Sequence, residues 1–254
     1  MSLASPATNI APAIAVKNLV KTFGAFYALR NISLQIAPGE SVTIFGPNGA
    51  GKTTFLRILA AISRPSSGEI LIDGQPLRDA TLAHHRRLGV IGHQSFLYDD
   101  LTAAENLLFY AKLYDVPNAS QRVQEVLSEV GLRERAPDRV RAFSRGMQQR
   151  LSIARAMLHQ PSLLFLDEPY TGLDQHAASM LTSWLRQLRS EQRTILLITH
   201  DLEQGLALAD RIVIFLRGQV AWEKSTRGLD QAILRQVYFD LVAGGAAPMN
   251  RSAP

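Results

Sequence analysis

Short blocks of β-branched and aromatic residues recur along the first part of the chain, at Ile14–Leu19, Ile32–Ile36, Ser41–Phe45 and Glu69–Ile72. Blocks of this length, bounded by turn-forming residues, predict strands, and Ser41–Phe45 reads as a buried one. Thr53 to Ala61 instead carries apolar residues at helical spacing. From about Thr102 to His159 the pattern is helical. Thr102 and Ser120 are placed as N-caps there, the second opening the run Val123-Val126-Leu127-Val130. After Ser162, strand-like Leu163–Leu166, Thr194–Ile198 and Arg211–Leu216 alternate with helical Ala177–Leu188 and Leu202–Ala209. Such alternation predicts a parallel sheet with crossover helices. The helical middle then reads as an insertion, over about 96–160, between two halves of one α/β core.

The 254 residues are 46% hydrophobic and include no cysteine. This suits one globular domain with a sizeable core and excludes disulfides and thiolate metal sites. The expected domain covers 13–243, with flexible segments at 1–12 and 244–254, where residues are small or polar. Residues 1–12 have neither the basic start nor the apolar centre of a secretion signal. The longest apolar runs fall far below the roughly 20 residues that cross a bilayer. Net charge is +5, yet it is diffuse, with modest clusters at His84–Arg87 and Arg133–Arg155. Without a basic tail or aromatic-interleaved stripe, no nucleic acid is expected as a partner.

The strongest chemical signal is Gly46-Pro47-Asn48-Gly49-Ala50-Gly51-Lys52-Thr53, a complete phosphate loop between a strand and a helix. Glycines at 46, 49 and 51 let backbone N–H groups converge on an anion, and the helix start adds its positive dipole end. Lys52 is then placed to reach the β- and γ-phosphates of a nucleoside triphosphate, with the Thr53 hydroxyl on Mg²⁺ and Thr54 beside it.

The second requirement of such a site is a buried strand ending in acid, and Leu163-Leu-Phe-Leu-Asp167-Glu168 supplies it. Asp167 can hold Mg²⁺ with Thr53, and Glu168 can orient or deprotonate the attacking water. Alone, two acids could simply end a strand in solvent. Beside a phosphate loop the pair completes a metal site.

From Val16 to about Ala221 the chain resembles the ATP-binding subunits of ABC transporters. The resemblance is carried by Phe143-Ser144-Arg145-Gly146-Met147-Gln148-Gln-Arg-Leu-Ser-Ile-Ala-Arg-Ala, which is similar to the family signature and lies just upstream of the Asp-Glu strand. It departs from the commonest form, Leu-Ser-Gly-Gly-Gln, at Phe143, Arg145 and Met147. Ser144 suits an N-cap and Gly146 permits close backbone approach. The resemblance implies that these two residues bind the γ-phosphate held by a second subunit, and leaves the roles of Arg145 and Met147 open. It further implies a Q-loop Gln94 contacting Mg²⁺ and the catalytic water, and a switch histidine at His200. Asp174 becomes a D-loop residue coupling the two sites, and Phe23 an aromatic that stacks on adenine. Phe23 could otherwise be a core residue, since Phe26 and Tyr27 are close by.

The implied fold is a P-loop NTPase core with a mainly parallel sheet, an N-terminal antiparallel β subdomain and an inserted α-helical subdomain. The implied activity is Mg²⁺-dependent ATP hydrolysis in a homodimer or heterodimer of ATP-binding subunits. The chain would sit in the cytoplasm, peripheral on the inner membrane face, docked on transmembrane permease subunits through the surface near Gln94 to Asn106. The stretch Gly92–Leu107 together with Ser144–Arg150 is similar to export-type ATPases, foremost the haem exporter of cytochrome c maturation, then drug or polysaccharide exporters. The rival class is a soluble ABC ATPase on ribosomes or DNA, disfavoured by the single core and compact helical insertion. A module that only binds ATP is disfavoured by Glu168 and His200.

Overall fold

The computed structural model describes residues 11–79, 82–92 and 95–244. The elements run in chain order as β1 (Ile14–Phe23), β2 (Phe26–Ile36), β3 (Ser41–Phe45), α1 (Lys52–Leu59), β4 (Ser67–Ile72), β5 (Gln75–Pro76), α2 (Leu82–His85) and β6 (Leu88–Ile91). They continue as α3 (Ala103–Leu113), α4 (Ala119–Glu129), α5 (Arg145–Met157), β7 (Leu163–Asp167), α6 (Gln175–Ser190), β8 (Thr194–Ile198), α7 (Leu202–Leu208), β9 (Arg211–Leu216), β10 (Gln219–Ser225) and α8 (Gln231–Ala243).

Two sheets form. Strands β2-β1-β4-β5 make an antiparallel sheet, and β10-β9-β3-β8-β7-β6 a second one. The second is parallel across β9, β3, β8, β7 and β6, with β10 antiparallel at one edge. The five-residue strands β3, β7 and β8 are buried at every position. That follows from their near-continuous apolar sequences, which suit a parallel sheet covered on both faces. Helix α1 buries Phe55, Leu56, Ile58 and Leu59, and these join β1, β2, β3 and β4 side chains in one core. Phe55 meets Phe215 of β9 edge-to-face at 5.3 Å between ring centroids. Helices α5 and α6 cover the other face through Ile153, Met157, Leu181, Leu185 and Leu188.

The inserted helices have their own core, in which Leu107, Val123, Val126, Leu127, Val140, Phe143 and Leu151 are buried. Thr102 caps α3 as expected, in a full capping box with Glu105. The expectation for Ser120 fails. The N-cap of α4 is Asn118, held at φ 50° with no side-chain cap, and Ser120 lies inside the first turn. Asparagine tolerates this left-handed backbone well. Strand β10 and helix α8, beyond the last expected strand, close one end of the molecule, where Leu234 packs with Phe45, Ile212 and Ile214.

One ring of this subdomain boundary makes folding sensitive to acid. His159 stacks on Tyr114 at 4.1 Å, and its Nε2–H donates to the Leu88 carbonyl at 3.0 Å. Its Nδ1 is buried without a hydrogen-bond partner among the described residues. A second proton there would have no acceptor, and burial pushes the imidazole down to about 4. The unfolded chain therefore binds this proton first, near pH 6.5. The stabilisation is full above that pH and is lost as pH falls through about 4. Urea titrations of wild type and His159→Gln between those limits are expected to differ in slope. The wild type should lose roughly 3 kcal/mol more on acidification.

Candidate active site at the carboxyl ends of the parallel strands

Strand pairing alone brings the catalytic candidates to one edge. Ile44 of β3 lies opposite Ile198 of β8, and Ile198 opposite Asp167 of β7. Lys52, His200 and Glu168 therefore follow from neighbouring strands at the carboxyl ends of the sheet, where open α/β folds bind ligands. Burial lowers the Lys52 ammonium from its ordinary value, and the fields of Glu168 and Asp167 oppose that shift. Three charges thus share one environment.

The phosphate loop is wedged against its neighbours. A Cβ on Gly46, at φ 150°, would lie 2.3 Å from the Phe215 carbonyl oxygen, and one on Gly51, at φ 98°, 2.5 Å from that of Ala28. Only glycine fits either place. Helix α1 starts on Gly51 without a side-chain cap, which leaves its first amide donors for an anion. Lys52 Nζ donates to the carbonyls of Gly46 at 2.6 Å and Pro47 at 3.0 Å, so the ammonium is held over the loop.

His200 Nδ1–H donates to Glu168 Oε2 at 2.8 Å, an assignment fixed by the carboxylate, which only accepts. Glu168 sits at φ 51°, a left-handed backbone unusual for this residue. Its own N–H bonds the Ile198 carbonyl at 2.9 Å and its carbonyl accepts from Thr171 N–H at 3.1 Å. Two backbone bonds thus aim one carboxylate. Asp167, by contrast, is 7% exposed at the strand end, and Thr53 is exposed at the start of α1.

A cleft of about 240 Å³ runs from Asn48 through Gly49, Ala50, Gly51, Lys52 and Thr53 to Thr54 and is walled by Phe23, Phe26 and Ala28. It falls below the roughly 300 Å³ of the smallest complete small-molecule pockets. Phe23 is 56% exposed, which removes the reading of Phe23 as a core residue. Sequence reasoning missed Phe26 as a second wall. The signal was the short β1–β2 hairpin, whose register sets Phe26 opposite Phe23. Lys21 Nζ lies 4.8 Å from the Phe23 ring centre, so one face of that ring is already used by a cation.

The signature residues stand elsewhere. Ser144 caps α5, its Oγ accepting from Met147 N–H at 3.3 Å. A Cβ on Gly146 would meet the Gly172 carbonyl at 3.5 Å, an ordinary contact. This helix start lines a second cleft with Glu168, Thr171 and Gly172 through Arg145, Gln148 and Gln149, and the two clefts share no residue. The divergent signature positions have separate causes. Phe143 and Met147 pack into the helical core, whereas Arg145 is exposed. Asp174 caps α6, Oδ1 accepting from Ala177 N–H at 2.8 Å. Gln94 lies outside the described residues.

The family model for "ABC transporter" matches residues 29–171. The ABC transporter ATP-binding protein NatA of Bacillus subtilis (strain 168) is 38% identical over 80% of this chain and 83% of its own length. The linearmycin resistance ATP-binding protein LnrL of the same organism is 35% identical over 80% of this chain and 66% of its own. The sulfate/thiosulfate import ATP-binding protein CysA of Thermosynechococcus vestitus (strain NIES-2133 / IAM M-273 / BP-1) is 37% identical over 82% and 62%. Among solved structures, the dimeric post-hydrolysis state of the ATP-binding cassette MJ0796 with ADP and Pi superposes with a TM-score of 0.78 at 30% identity. The match covers 85% of this chain and all of that one. With its phosphate loop, acid-tipped strand and signature helix in this arrangement, the chain belongs to the ABC transporter family and is one of its ATP-hydrolysing, ATP-binding subunits.

Proposed function

We propose that this subunit works as one half of a nucleotide-closed pair that drives export through separate transmembrane permease subunits. The single observation that carries the reading is the division of the site. Lys52 and Thr53 line the phosphate-loop cleft, whereas Ser144 and Gly146 open a helix that lines another cleft, which shares no residue with the first although Glu168 reaches into it. A second copy, or a related subunit, would present its signature to this phosphate loop and so complete each pocket.

In this reading Lys52 leaves the Gly46 and Pro47 carbonyls for the better acceptors of a triphosphate, and the α1 amides hold the β-phosphate. Glu168 orients the water and takes its proton. His200, already bonded to Glu168 through Nδ1, needs a second proton on Nε2 to reach a phosphate oxygen. It would then bridge two anions as an imidazolium. The Thr53 hydroxyl and the Asp167 and Gln94 side-chain oxygens are the hard donors that Mg²⁺ requires. When bound, that ion supplies charge neutralisation at the β- and γ-phosphates. Asp174, as the cap of α6, fixes the segment that would lie at the pair's interface.

Phe23 would carry the adenine. Phe23→Ala is expected to weaken ATP binding by about 5- to 150-fold, the equivalent of ~1–3 kcal/mol of stacking. Phe26→Ala should have the smaller effect. Titration with a fluorescent ATP analogue measures both.

Permease docking near Gln94 to Asn106 is supported by exposed aromatic side chains. Phe96, Tyr98 and Phe109 are 41%, 49% and 43% exposed, and Tyr98 and Phe109 meet edge-to-face. Clustered exposed apolar surface of this kind suits a protein partner. Among the described residues no helix is long and apolar enough to cross a membrane, so transport needs such a partner. For the cargo, haem export in cytochrome c maturation is favoured by the Gly92–Leu107 and Ser144–Arg150 segments. Drug or polysaccharide export is the second reading, favoured by the similarity to LnrL, a linearmycin resistance protein. Isolation of the tagged chain from solubilised membranes tests the assembly. Recovery of a permease whose complex shows haem-stimulated ATPase supports the first reading, and recovery with ribosomes alone overturns transport altogether.

A further inference from the structure

Gln149 stands at the end of an apolar stripe on α5. Ile153 and Ala156, four and seven residues further along the same helix face, are buried against side chains of β7 and α6. An apolar residue at 149 would extend that packing. The glutamine instead turns its amide to the segment that follows β7. Its Nε2–H donates to the Pro169 carbonyl at 2.9 Å, an orientation fixed by the carbonyl, which only accepts. Gln149 also lines the second cleft together with Glu168.

Pro169 is buried and has no N–H, so its carbonyl is its one polar backbone group and needs a donor inside the protein. The residue before it is Glu168, held at φ 51°. That backbone is doubly constrained, because positive φ is rare for glutamate and a following proline steers its neighbour toward extended geometry. Such a conformation persists only where the surroundings over-determine it. The far end of the turn is fixed. Tyr170 and Leu173 pack against the core between α5 and α6, Tyr170 Oη lies 3.2 Å from Thr182 Oγ1, and Leu173 N–H donates to the Tyr170 carbonyl at 3.1 Å. If the Pro169 carbonyl lost its donor and turned toward water, the rotation could not pass forward into Tyr170, nor into the proline ring with its fixed φ. It would fall on Glu168.

We propose that Gln149 is a positioning residue for hydrolysis, whose amide holds the Pro169 carbonyl and thereby the backbone that aims the Glu168 carboxylate at the attacking water. The proposal rests on the role given to Glu168 above. Gln149 itself handles no proton; it acts through the turn.

The test uses the full chain with Gln149→Met, Gln149→Asn and Glu168→Gln, alone and combined, reading kcat and KM for ATP together with thermal stability. Methionine matches the length of glutamine without a donor, and asparagine keeps the amide but stops one carbon short of the carbonyl. Gln149→Met is expected to lower kcat about tenfold with KM within about twofold, the pattern of an interaction needed in the transition state only. Gln149→Asn should act in the same direction by about threefold or more, and it decides the matter if Gln149→Met does not fold. On the Glu168→Gln background neither change should slow turnover further by more than about twofold, since the turn has no carboxylate left to aim. A merely structural glutamine would lower the melting temperature and multiply its loss with that of Glu168→Gln. Wild-type kcat in both Gln149 variants, or losses that multiply, would overturn the positioning role while leaving a severe Glu168→Gln defect in place. A Glu168→Gln variant that hydrolyses ATP at the normal rate would instead sink the role of Glu168, and that of Gln149 with it.

Discussion

Glu168→Gln is expected to cut ATP turnover by about 10²- to 10⁴-fold, the range of a lost general base, with ATP affinity changed by no more than about twofold. Glutamine keeps the length of the side chain and can still accept the His200 Nδ1–H bond that Glu168 accepts at 2.8 Å. It cannot take a proton from water. The backbone that aims it, at φ 51° and bonded to Ile198 and Thr171, does not depend on the carboxylate, so the fold should be unaffected. With closure possible and hydrolysis blocked, ATP should trap the paired state. Phosphate release and size-exclusion chromatography with and without ATP measure the two halves of this expectation. An unchanged rate would remove Glu168 from the chemistry.

Gly46→Ala should be the most damaging single methyl in the chain. At φ 150° and 2.3 Å from the Phe215 carbonyl oxygen, an added Cβ forces either the loop or β9 to move. One is the turn leaving β3 and the other the backbone of β9, paired on both sides by β10 and β3, and neither yields cheaply. The backbone region alone is essentially closed to other residues at about 1–3 kcal/mol, and the overlap adds to it. The expected result is a melting temperature lower by roughly 10 °C or more and no measurable ATP binding. Gly49→Ala is the control. Its φ of 79° also disfavours alanine, but nothing lies within 4 Å of the added carbon. It should cost about 1–2 kcal/mol and leave a folded protein. Thermal melts of the two variants, with and without ATP, separate loop strain from loss of the site.

Much of the fold was legible because its strands are buried on both faces. Ser41–Phe45 and Leu163–Leu166 are short, β-branched or leucine-rich and bounded by turns, and both are strands with every residue buried. Strand β10 was missed because an edge strand has no such run. Its Gln-Val-Ala-Trp-Glu-Lys-Ser sequence alternates weakly and lies half exposed. Helix α8 was missed although Leu234, Val237, Tyr238 and Leu241 form a stripe at helical spacing against the core, because Ile233 and Phe239, 47% and 56% exposed, spread apolar residues onto its other faces as well. Ser120 misled for a local reason. Either Ser120 or Asn118 can cap a helix, and only tertiary packing of Val123 and Val126 sets where α4 begins.

The candidate site was legible where chemistry is carried by a contiguous motif. The phosphate loop and the acid pair lie within single strand–loop segments, and strand order then places them together. Phe26 needed the hairpin register, which brings it opposite Phe23. The contacts that hold the buried side chain of Arg155 could not be read at all, because its partners lie 65 residues away at Val90 and 59 at Phe96 in sequence. The destination of Ser144 is invisible for another reason. One chain cannot show what a partner's surface completes.

That shared pocket is the centre of the account, and mixing two dead subunits tests it. Lys52→Ala removes the phosphate ligand and Ser144→Arg blocks the signature helix start, so each homodimer carries two defective sites. In a hybrid pair both lesions fall in one site, and the other combines an intact phosphate loop with an intact signature. ATPase activity should therefore reappear on mixing, approaching about half the wild-type rate per hybrid if the two sites act independently. If hybrids form, both variants remain folded, and no turnover returns, the two subunits do not share their nucleotide sites.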